Sequence, residues 1–262
     1  MEKYRTTDLK DAASIYSELG FVLVKNFVSG SFLDLLKSES NQLIDSCTSG
    51  PITRRMHLNT NFYINDSPSV WGINDFICDF SSNSKYQLVK DLLRATKNIT
   101  SMQNLNRLSL NRIHFQRQKF LHKLFWHHDS VEYNKNFVTN LYLEKETGFR
   151  ITDKLNSVNS ISVNTMGCGG MYFSLRKDYY TISAEPGDLL IFDGRLLHQP
   201  YNKHSRLHLH FVFQNNFENV EQRNLFDENV CLDRNKPMTF PKSYRIYSKT
   251  KYVVQSILDW IF

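Results

Sequence analysis

The hydrophobic pattern divides the chain into a helical first part and a strand-rich second part. Apolar residues at helical spacing predict three helices, over residues 8–19, 32–47 and 86–99. Gly20 ends the first helix, and the apolar run 21–28 after it is typical of a short strand. Residues 48–84 are polar and irregular, which is long for a connection inside a domain. We expect this segment to cover something or to line an opening.

From residue 105 onward, apolar and polar residues alternate over short runs that are separated by turns. These runs predict strands over residues 108–116, 137–143, 171–175, 179–183, 189–192 and 206–213. The turn 185–188 has Pro186 at its second position and Gly187 at its third, as type II turns prefer. Residues 148–164 are polar, and their pattern does not distinguish strand from loop. Many short strands at regular spacing indicate a sandwich or a barrel.

The chain becomes polar again after residue 216. A basic stretch over 242–251 precedes residues 252–262, whose apolar positions could form a terminal amphipathic helix. Such a helix either docks on a membrane surface or a partner, or packs on the sandwich. The second interpretation is favoured, because Asp259 and the short length weaken a lipid anchor.

Composition and charge indicate where the protein is located and what kind of partner it binds. The chain has 262 residues, which fits one large domain or two small ones, and its net charge is +6. A basic protein favours anionic partners such as a carboxylate substrate, a phosphorylated small molecule, a lipid surface or nucleic acid, although many soluble proteins are modestly basic without one. The 4 cysteines have no C-x-x-C spacing and are typical of thiols in a reducing compartment. Since no apolar signal region or membrane-spanning run is present, we expect a cytoplasmic protein.

Candidate chemistry begins with His127 and Asp129, in the sequence Trp-His-His-Asp. Two residues apart on an extended strand, their side chains point to the same face. They can hold two corners of a metal site, but they cannot hold a metal alone. The pair by itself is weak support for a metal site, because chance supplies a His-x-Asp pair about as often as not.

His198 is the candidate third ligand. It comes just after the apolar strand 189–192 and is followed by polar loop residues, a position that faces a cavity. Arg206 then opens another strand. Two imidazoles and one carboxylate on one face of a metal form the facial triad of non-heme Fe(II) oxygenases.

These motifs resemble those of the Fe(II)/2-oxoglutarate-dependent dioxygenases, and most of all the phytanoyl-CoA hydroxylase-like branch. Residues 126–129 are similar to that branch's W-H-x-D, and residues 186–198 are similar to its P-G-D-x-x-x-F-x-x-x-x-x-H. Residues 20–27 are similar to its G-[FY]-x-x-[IV]-x-[ND]-F. The resemblance spans roughly residues 10–215, and the combination is more specific than any one motif.

The resemblance implies a mainly β (α+β) fold. The core would be a double-stranded β-helix, also called a jelly roll or cupin-like fold, with flanking N-terminal and peripheral helices. We therefore expect a single dioxygenase domain over 1–262. Within it, residues 1–104 would be a helical and loop support, 105–215 the jelly-roll core with the metal site, and 216–262 a C-terminal extension.

The resemblance also implies the cofactors. His127, Asp129 and His198 would bind Fe(II) and form the catalytic centre, and 2-oxoglutarate would chelate the iron through its keto acid end. Arg206 would pair with the distal carboxylate of 2-oxoglutarate. A guanidinium suits this role, because it offers a planar fork to a carboxylate and stays charged when buried.

The reaction implied is hydroxylation, with O2 as oxidant and with release of succinate and CO2. The substrate would be a small molecule that is anionic or amphipathic. Asp129 argues for hydroxylation or another oxidation, because related halogenases lack this carboxylate so that a halide can bind in its place. No nucleic acid partner is expected, and peripheral membrane contact is disfavoured.

Departures from the family pattern concern the substrate side of the pocket. Gln199 and Pro200 stand where the family often has small residues, one of which can touch the co-substrate. Residues 164–175 replace a proline-glycine-serine-histidine segment.

Other histidines lie on the strands around the motifs. His114 matches in place a polar residue that contacts 2-oxoglutarate in relatives, so it is a candidate cofactor-binding residue, with a core or surface histidine as the alternative. His208 and His210 share a face with Arg206. Exposure to solvent or hydrogen bonding in the core is favoured for them over a metal role.

Two other functions stay open beside the oxygenase. One is a jelly-roll protein that binds an acidic ligand or a membrane surface without catalysis. The other is a cupin-type metalloenzyme that does not use 2-oxoglutarate. In that enzyme, substitution of Arg206 would leave activity intact.

Overall fold

A computed structural model describes residues 3–48, 56–57, 63–64, 67–68, 70–74, 76, 83–116, 122–123, 126–129, 136–155, 161–163, 171–173, 178–202 and 205–215. The predicted C-terminal helix over 252–262 and the basic stretch before it lie outside these residues. Among the helices in these ranges, none is long and apolar enough to cross a membrane.

Three helices and seventeen strands make up the described part of the chain. The helices are α1 (Leu9–Leu19), α2 (Gly30–Thr48) and α3 (Asn83–Thr100). The strands are β1 (Arg5–Thr6), β2 (Phe21–Val24), β3 (Met56–His57), β4 (Tyr63–Ile64), β5 (Ser67–Pro68), β6 (Val70–Asn74), β7 (Leu105–Gln116), β8 (His122–Lys123), β9 (Trp126–His127), β10 (Asn136–Tyr142), β11 (Glu146–Ile151), β12 (Ile161–Val163), β13 (Met171–Phe173), β14 (Tyr180–Ala184), β15 (Leu189–Asp193), β16 (His198–Asn202) and β17 (Arg206–Asn215).

The three helices lie where the hydrophobic spacing predicts them. Helix α1 shows why its ends are where they are. The Asp8 side chain caps its first turn by accepting from the Lys10 N–H at 2.7 Å. Gly20 ends it in a left-handed conformation, φ 86°, and donates its N–H to the Tyr16 carbonyl at 2.8 Å.

Two sheets carry most of the strands. The large sheet has the order β1-β2-β15-β10-β17-β7-β6-β3, and the small sheet has the order β12-β13-β9-β16-β11-β14, with β8 paired to β16. The pair β1–β2 is parallel, and the other pairs in these two sheets are antiparallel. Strands β1, β2, β3 and β6 bring residues from the first part of the chain into the large sheet.

The large sheet packs on helices with one face and on the small sheet with the other. Ile113, Leu141 and Leu209 belong to a core shared with apolar side chains of α1, α2 and α3. Alternate residues of the same strands point the opposite way, because side chains along a strand alternate between faces. There, Phe192 packs against Phe149 of the small sheet with ring centroids 5.7 Å apart. The space between the two sheets is therefore where the inward side chains of both meet.

Nine of the seventeen strands were not predicted from the sequence, and three of them concern the site. β6 lies in the segment expected to be irregular, β11 begins in the polar region around 148–164, and β16 includes His198, which was expected to precede a loop. Polar residues make up much of β11 and β16, so these strands depend on pairing with neighbours more than on their own propensity. The strand predicted over 21–28 ends at Val24, since Asn26 turns the chain with φ 54°.

Gly187 holds the turn before β15 close to the neighbouring strands. Its φ of 91° favours glycine, and a Cβ added there would lie 2.0 Å from the Val28 carbonyl oxygen. It donates its N–H to the Tyr142 carbonyl at 2.7 Å and accepts from the Val28 N–H at 3.0 Å. The buried Asp188 carboxylate accepts from the Asn26 N–H at 3.0 Å and pairs with Lys25. This turn therefore fixes the ends of β2 and β10 relative to β15.

Candidate metal centre

Three side chains converge at one end of the small sheet. His127 on β9 and His198 on β16 are direct cross-strand partners, with ring centroids 4.3 Å apart. The Asp129 carboxylate lies 3.8 Å from His127 Nε2 and 3.4 Å from His198 Nε2. One ligand atom from each of the three lies within 4.8 Å of the others, and no other such group occurs among the described residues.

The loop between β15 and β16 positions two of the three side chains. The Asp129 N–H donates to the Gly194 carbonyl at 2.8 Å, and His198 Nδ1 lies 3.0 Å from the Leu196 carbonyl. A carbonyl can only accept, so Nδ1 carries a proton, and Nε2 is the ring nitrogen that faces Asp129. Asn136 extends the support, since its carbonyl accepts from Gly194 at 2.8 Å and its side-chain amide donates to the Asp129 carbonyl at 3.4 Å.

Aromatic rings fix the orientation of the His198 imidazole. Phe149 stacks on it with centroids 5.5 Å apart, and Phe192 meets it edge-on at 5.0 Å. The His198 side chain is only 3% exposed, whereas His127 and Asp129 are 17% and 28% exposed. The group is therefore rigid on the inner side and accessible from the other.

The electrostatics of the group favour an ionised Asp129. Burial by itself would raise the pKa of its carboxyl. The charge of His198 when protonated, a hydrogen bond from His198 and the charge of His127 together outweigh burial, so the pKa lies well below its usual range. Two imidazoles and one carboxylate are suitable ligands for a divalent transition metal. His128, between the two ligands in sequence, is half-buried, and burial lowers its pKa.

A second group of polar side chains lies on the inward face of the large sheet. Register pairs His114 with His208, Arg112 with His210, Gln116 with Arg206, Asn140 with His210, and Tyr142 with His208. We call the inward residues Arg206, His208, His210, His114, Asn140 and Tyr142 the polar row; all six are buried. The His114 ring lies 5.1 Å from His208 and 4.9 Å from His210, measured between centroids.

The histidines of the polar row are held neutral. Burial, followed by the charges of neighbouring histidines and arginines, lowers the pKa of His114 and His208 well below the ordinary value. Burial and Arg112 lower the pKa of His210 to about 3. His210 Nδ1 lies 2.8 Å from Asn140 Oδ1, so this histidine has the core hydrogen bond that was favoured for it.

Arg206 lies at the end of the polar row and has an acidic neighbour. Its side chain is 3% exposed, and Nη1 lies 3.7 Å from Oε2 of Glu146, which is fully buried. Arg206 Nε and the Tyr142 hydroxyl have no hydrogen-bond partner of ordinary geometry among the described atoms. Burial and the charge of Glu146 raise the pKa of Tyr142 well above its usual value. Buried donors without partners are the groups that a polar ligand satisfies.

The structure brings some of the candidate residues together and adds one. His127, Asp129 and His198 form one group, and Arg206 and His114 lie on the facing sheet. Gln199 points to the opposite face of the small sheet from His198, its neighbour on β16; it is buried there, and its Oε1 accepts from Arg150 at 3.3 Å. Glu146 was not found from the sequence, because a single glutamate in a polar stretch carries no motif.

Comparison with known proteins gives matches at the level of structure. No protein-family model and no curated protein matches the sequence. AviO1 from Streptomyces viridochromogenes has a similar structure, with a TM-score of 0.62 and 13% identity over 83% of this chain and 98% of that chain. The epimerase SnoN, solved with Fe3+, alpha-ketoglutarate and a nogalamycin compound, has a TM-score of 0.59 and 12% identity over 89% of this chain and 96% of that chain.

A third structure was solved with a different metal. HygX from Streptomyces hygroscopicus, with nickel, 2-oxoglutarate and hygromycin B bound, has a TM-score of 0.53 and 13% identity over 79% of this chain and 88% of that chain. At these identities the similarity establishes the fold. The chain therefore shares the sheet-rich fold of proteins that bind a metal ion and 2-oxoglutarate.

Proposed function

We propose that the protein is an Fe(II)- and 2-oxoglutarate-dependent oxygenase of the phytanoyl-CoA hydroxylase-like type, with a double-stranded β-helix as its core. The observation that carries the proposal is the placement of a His-Asp-His group opposite a buried arginine. His127, Asp129 and His198 lie on the small-sheet side, and Arg206 lies on the facing large sheet. A facial triad and a buried guanidinium are the two recognition elements that a metal-chelated 2-oxo acid with a distal carboxylate requires.

The three side chains suit a metal ion in their protonation states and orientation. His198 presents Nε2 because Nδ1 donates to the Leu196 carbonyl, and Asp129 is ionised. Such a second hydrogen bond on a ligating histidine is usual in metal sites. His127, Asp129 and His198 would hold Fe(II), which together with 2-oxoglutarate and O2 supplies the oxidising chemistry.

The polar row suits the co-substrate at its other end. Arg206 would take the distal carboxylate of 2-oxoglutarate, and the Tyr142 hydroxyl has a proton to donate beside it. His114 would add a neutral polar group on the same face. The apolar rings of Phe149 and Phe192 exclude water from the back of the metal centre.

We infer hydroxylation, or another oxidation at a C–H bond, of a small molecule. Asp129 occupies the position that a halide would need, which argues against halogenation. Proteins of similar structure include an epimerase and a carbocyclase that depend on alpha-ketoglutarate, and one was solved with hygromycin B. The net charge of +6 favours an anionic or amphipathic substrate.

An anaerobic titration tests the proposal. Fe(II) followed by 2-oxoglutarate should give the weak visible charge-transfer band of a chelated keto acid. The band should be lost in Asp129→Ala and in His198→Ala. No band with the native protein, or an unchanged band in both variants, would contradict the proposal. Succinate production over a panel of anionic and neutral small molecules would then identify the substrate class.

One observation favours a second candidate, a metalloenzyme of this fold that does not use 2-oxoglutarate. Arg206 already has a carboxylate, that of Glu146, 3.7 Å away. In that case Fe(II) would bind without any band from 2-oxoglutarate, and Arg206→Gln would retain activity.

A further inference from the structure

We propose that Glu146 sets the co-substrate specificity of this pocket by acting as a built-in counter-carboxylate to Arg206. The pocket would then bind the distal carboxylate of 2-oxoglutarate weakly and discriminate little against 2-oxo acids that lack it. This inference rests on the proposed function, because it concerns the pocket in which 2-oxoglutarate would bind.

Glu146 is fixed by the backbone and needs no ligand to hold it in place. It lies at a bulge in the pairing of β11 with β14. Its Oε1 accepts from the N–H groups of Thr147 at 3.0 Å and Gly148 at 2.9 Å. Its Oε2 is thereby directed toward Arg206, 3.7 Å away. The carboxylate is part of the local fold of β11 and is present whether or not a co-substrate is bound.

Arg206 retains an unpaired donor that could bind a second carboxylate. A guanidinium has five N–H donors arranged along two edges. Glu146 faces Nη1, whereas Nε is buried and has no partner within the described ranges. A distal carboxylate can therefore approach the Nε edge. There, the distal carboxylate would meet the ion pair of Arg206 and Glu146, whose charges already offset one another, and not an isolated guanidinium.

The charge of Glu146 acts against that second carboxylate. Two carboxylates about 6 Å apart, at an effective dielectric constant near 20, repel each other by an energy equivalent to roughly a hundredfold in a dissociation constant. Sharing a guanidinium reduces the effect, so we expect about tenfold. Tyr142, with its hydroxyl unpartnered near both charges, gives the pocket a neutral donor that serves a carboxylate or a less polar group.

The experiment compares two 2-oxo acids of equal chain length under anaerobic conditions. Dissociation constants of 2-oxoglutarate and 2-oxopentanoate are measured from the charge-transfer band with Fe(II), for the native protein, Glu146→Gln and Glu144→Gln. Glu146→Gln keeps the Oε1 acceptor and removes the charge. Glu144→Gln is the matched control, since Glu144 is only two residues away and half-buried; burial raises the pKa of its carboxyl, and the cation that lowers it is Lys37.

We expect Glu146→Gln to lower the dissociation constant of 2-oxoglutarate by about tenfold. The dissociation constant of 2-oxopentanoate should change by less than about twofold. Glu144→Gln should change neither. A folded Glu146→Gln protein with unchanged or weaker 2-oxoglutarate binding would overturn the inference and leave the proposed function standing.

The native protein provides a second measurement if Glu146→Gln does not fold. If the dissociation constants of the two acids differ by less than about tenfold, the inference is supported, and a larger preference for 2-oxoglutarate overturns it. Without a counter-carboxylate, loss of the contact between the distal carboxylate and a buried guanidinium would raise the dissociation constant by at least about a hundredfold. No band with either acid in the native protein would contradict the proposed function itself, and this inference with it.

Discussion

The two sides of the space between the sheets hold their polar residues in different ways. On the small-sheet side, His127 and Asp129 are partly exposed, lie at the end of a short strand, and are supported mainly by backbone groups of a neighbouring loop. On the large-sheet side, the polar row is buried along three neighbouring strands, β10, β17 and β7, and several of its members contact one another.

This difference has an energetic consequence. A partly exposed group whose supports are backbone hydrogen bonds can lose a side chain without leaving buried charge behind. The buried polar row cannot lose a side chain in this way, because each member offsets part of the desolvation cost of its neighbour. We therefore expect changes at His127 and Asp129 to abolish metal binding with a small effect on folding, and changes in the polar row to do the reverse.

The largest effect is expected for metal binding by Asp129→Ala. Loss of the carboxylate should weaken Fe(II) or Mn(II) binding by more than about a hundredfold, because even indirect supports of a metal ligand contribute about that much. The free energy of unfolding of the metal-free protein should fall by only about 1 to 2 kcal/mol, because the folded state favours the ionised carboxylate but holds it partly exposed. Metal titration and denaturant unfolding of the metal-free protein measure the two effects. The control, His128→Gln, should retain metal binding; equal losses in both variants would contradict the assignment of ligands.

Gly187→Ala tests the framework of the large-sheet side. A Cβ there would lie 2.0 Å from the Val28 carbonyl oxygen, at a φ of 91°. We expect the free energy of unfolding to fall by about 4 kcal/mol, since both strain and displaced backbone contribute. Gly30→Ala is a matched control, because its φ is also positive, 61°, but nothing lies within 4 Å of an added Cβ. It should lose about 1 kcal/mol, and equal losses by denaturant unfolding would show that the close contact is unimportant.

Arg206→Gln would sharpen the contrast from the large-sheet side. Removing the guanidinium takes away the cation beside the buried Glu146 carboxylate, which should lower the free energy of unfolding by about 3 kcal/mol. Metal binding should be unchanged. The double variant Arg206→Gln/Glu146→Gln should recover more than about half of the lost stability, measured in a double-mutant cycle. Losses that simply add would show that the pair is not coupled.

The smallest expected effect is the dependence of stability on pH. The pKa of His210 is lowered to about 3 in the folded protein, so the unfolded chain binds a proton first as the pH falls below about 6.5. Stability is therefore fully present above about pH 6.5 and is lost between there and about pH 3. Each such histidine contributes up to about 1.4 kcal/mol per pH unit in this window. Asp129 has a depressed pKa as well, but its contribution is lost only below its ordinary value of about 3.9.

His210→Gln should flatten this dependence. Denaturant unfolding of the metal-free protein at pH 7, 6 and 5 should show a smaller decline in the variant, by up to about 1.4 kcal/mol per unit. An unchanged slope would mean that His210 is not held neutral by the fold.

How far the sequence predicted the structure differs from one element to the next. Helices α1, α2 and α3 were predicted to within three residues at each end, because each carries its own apolar face, and α1 its own caps as well. Strands β10 and β15 were recognised from their apolar runs. Strand β16 was missed, although it carries His198, because its residues are polar and it forms by pairing with β11 and β9.

The sequence by itself determined the helices, the apolar strands and three residues suited to bind a metal. Spacing is a local property, and His127 and Asp129 are two residues apart whatever the rest of the chain does, although strand β9 ends at His127 and Asp129 follows it. Only the tertiary structure decided that His198 lies opposite His127, that three histidine rings lie together on the face of Arg206, and that Glu146 faces the same guanidinium. The physical reason is that these contacts join strands far apart in sequence, and register between such strands is set by how both sheets bury their apolar faces.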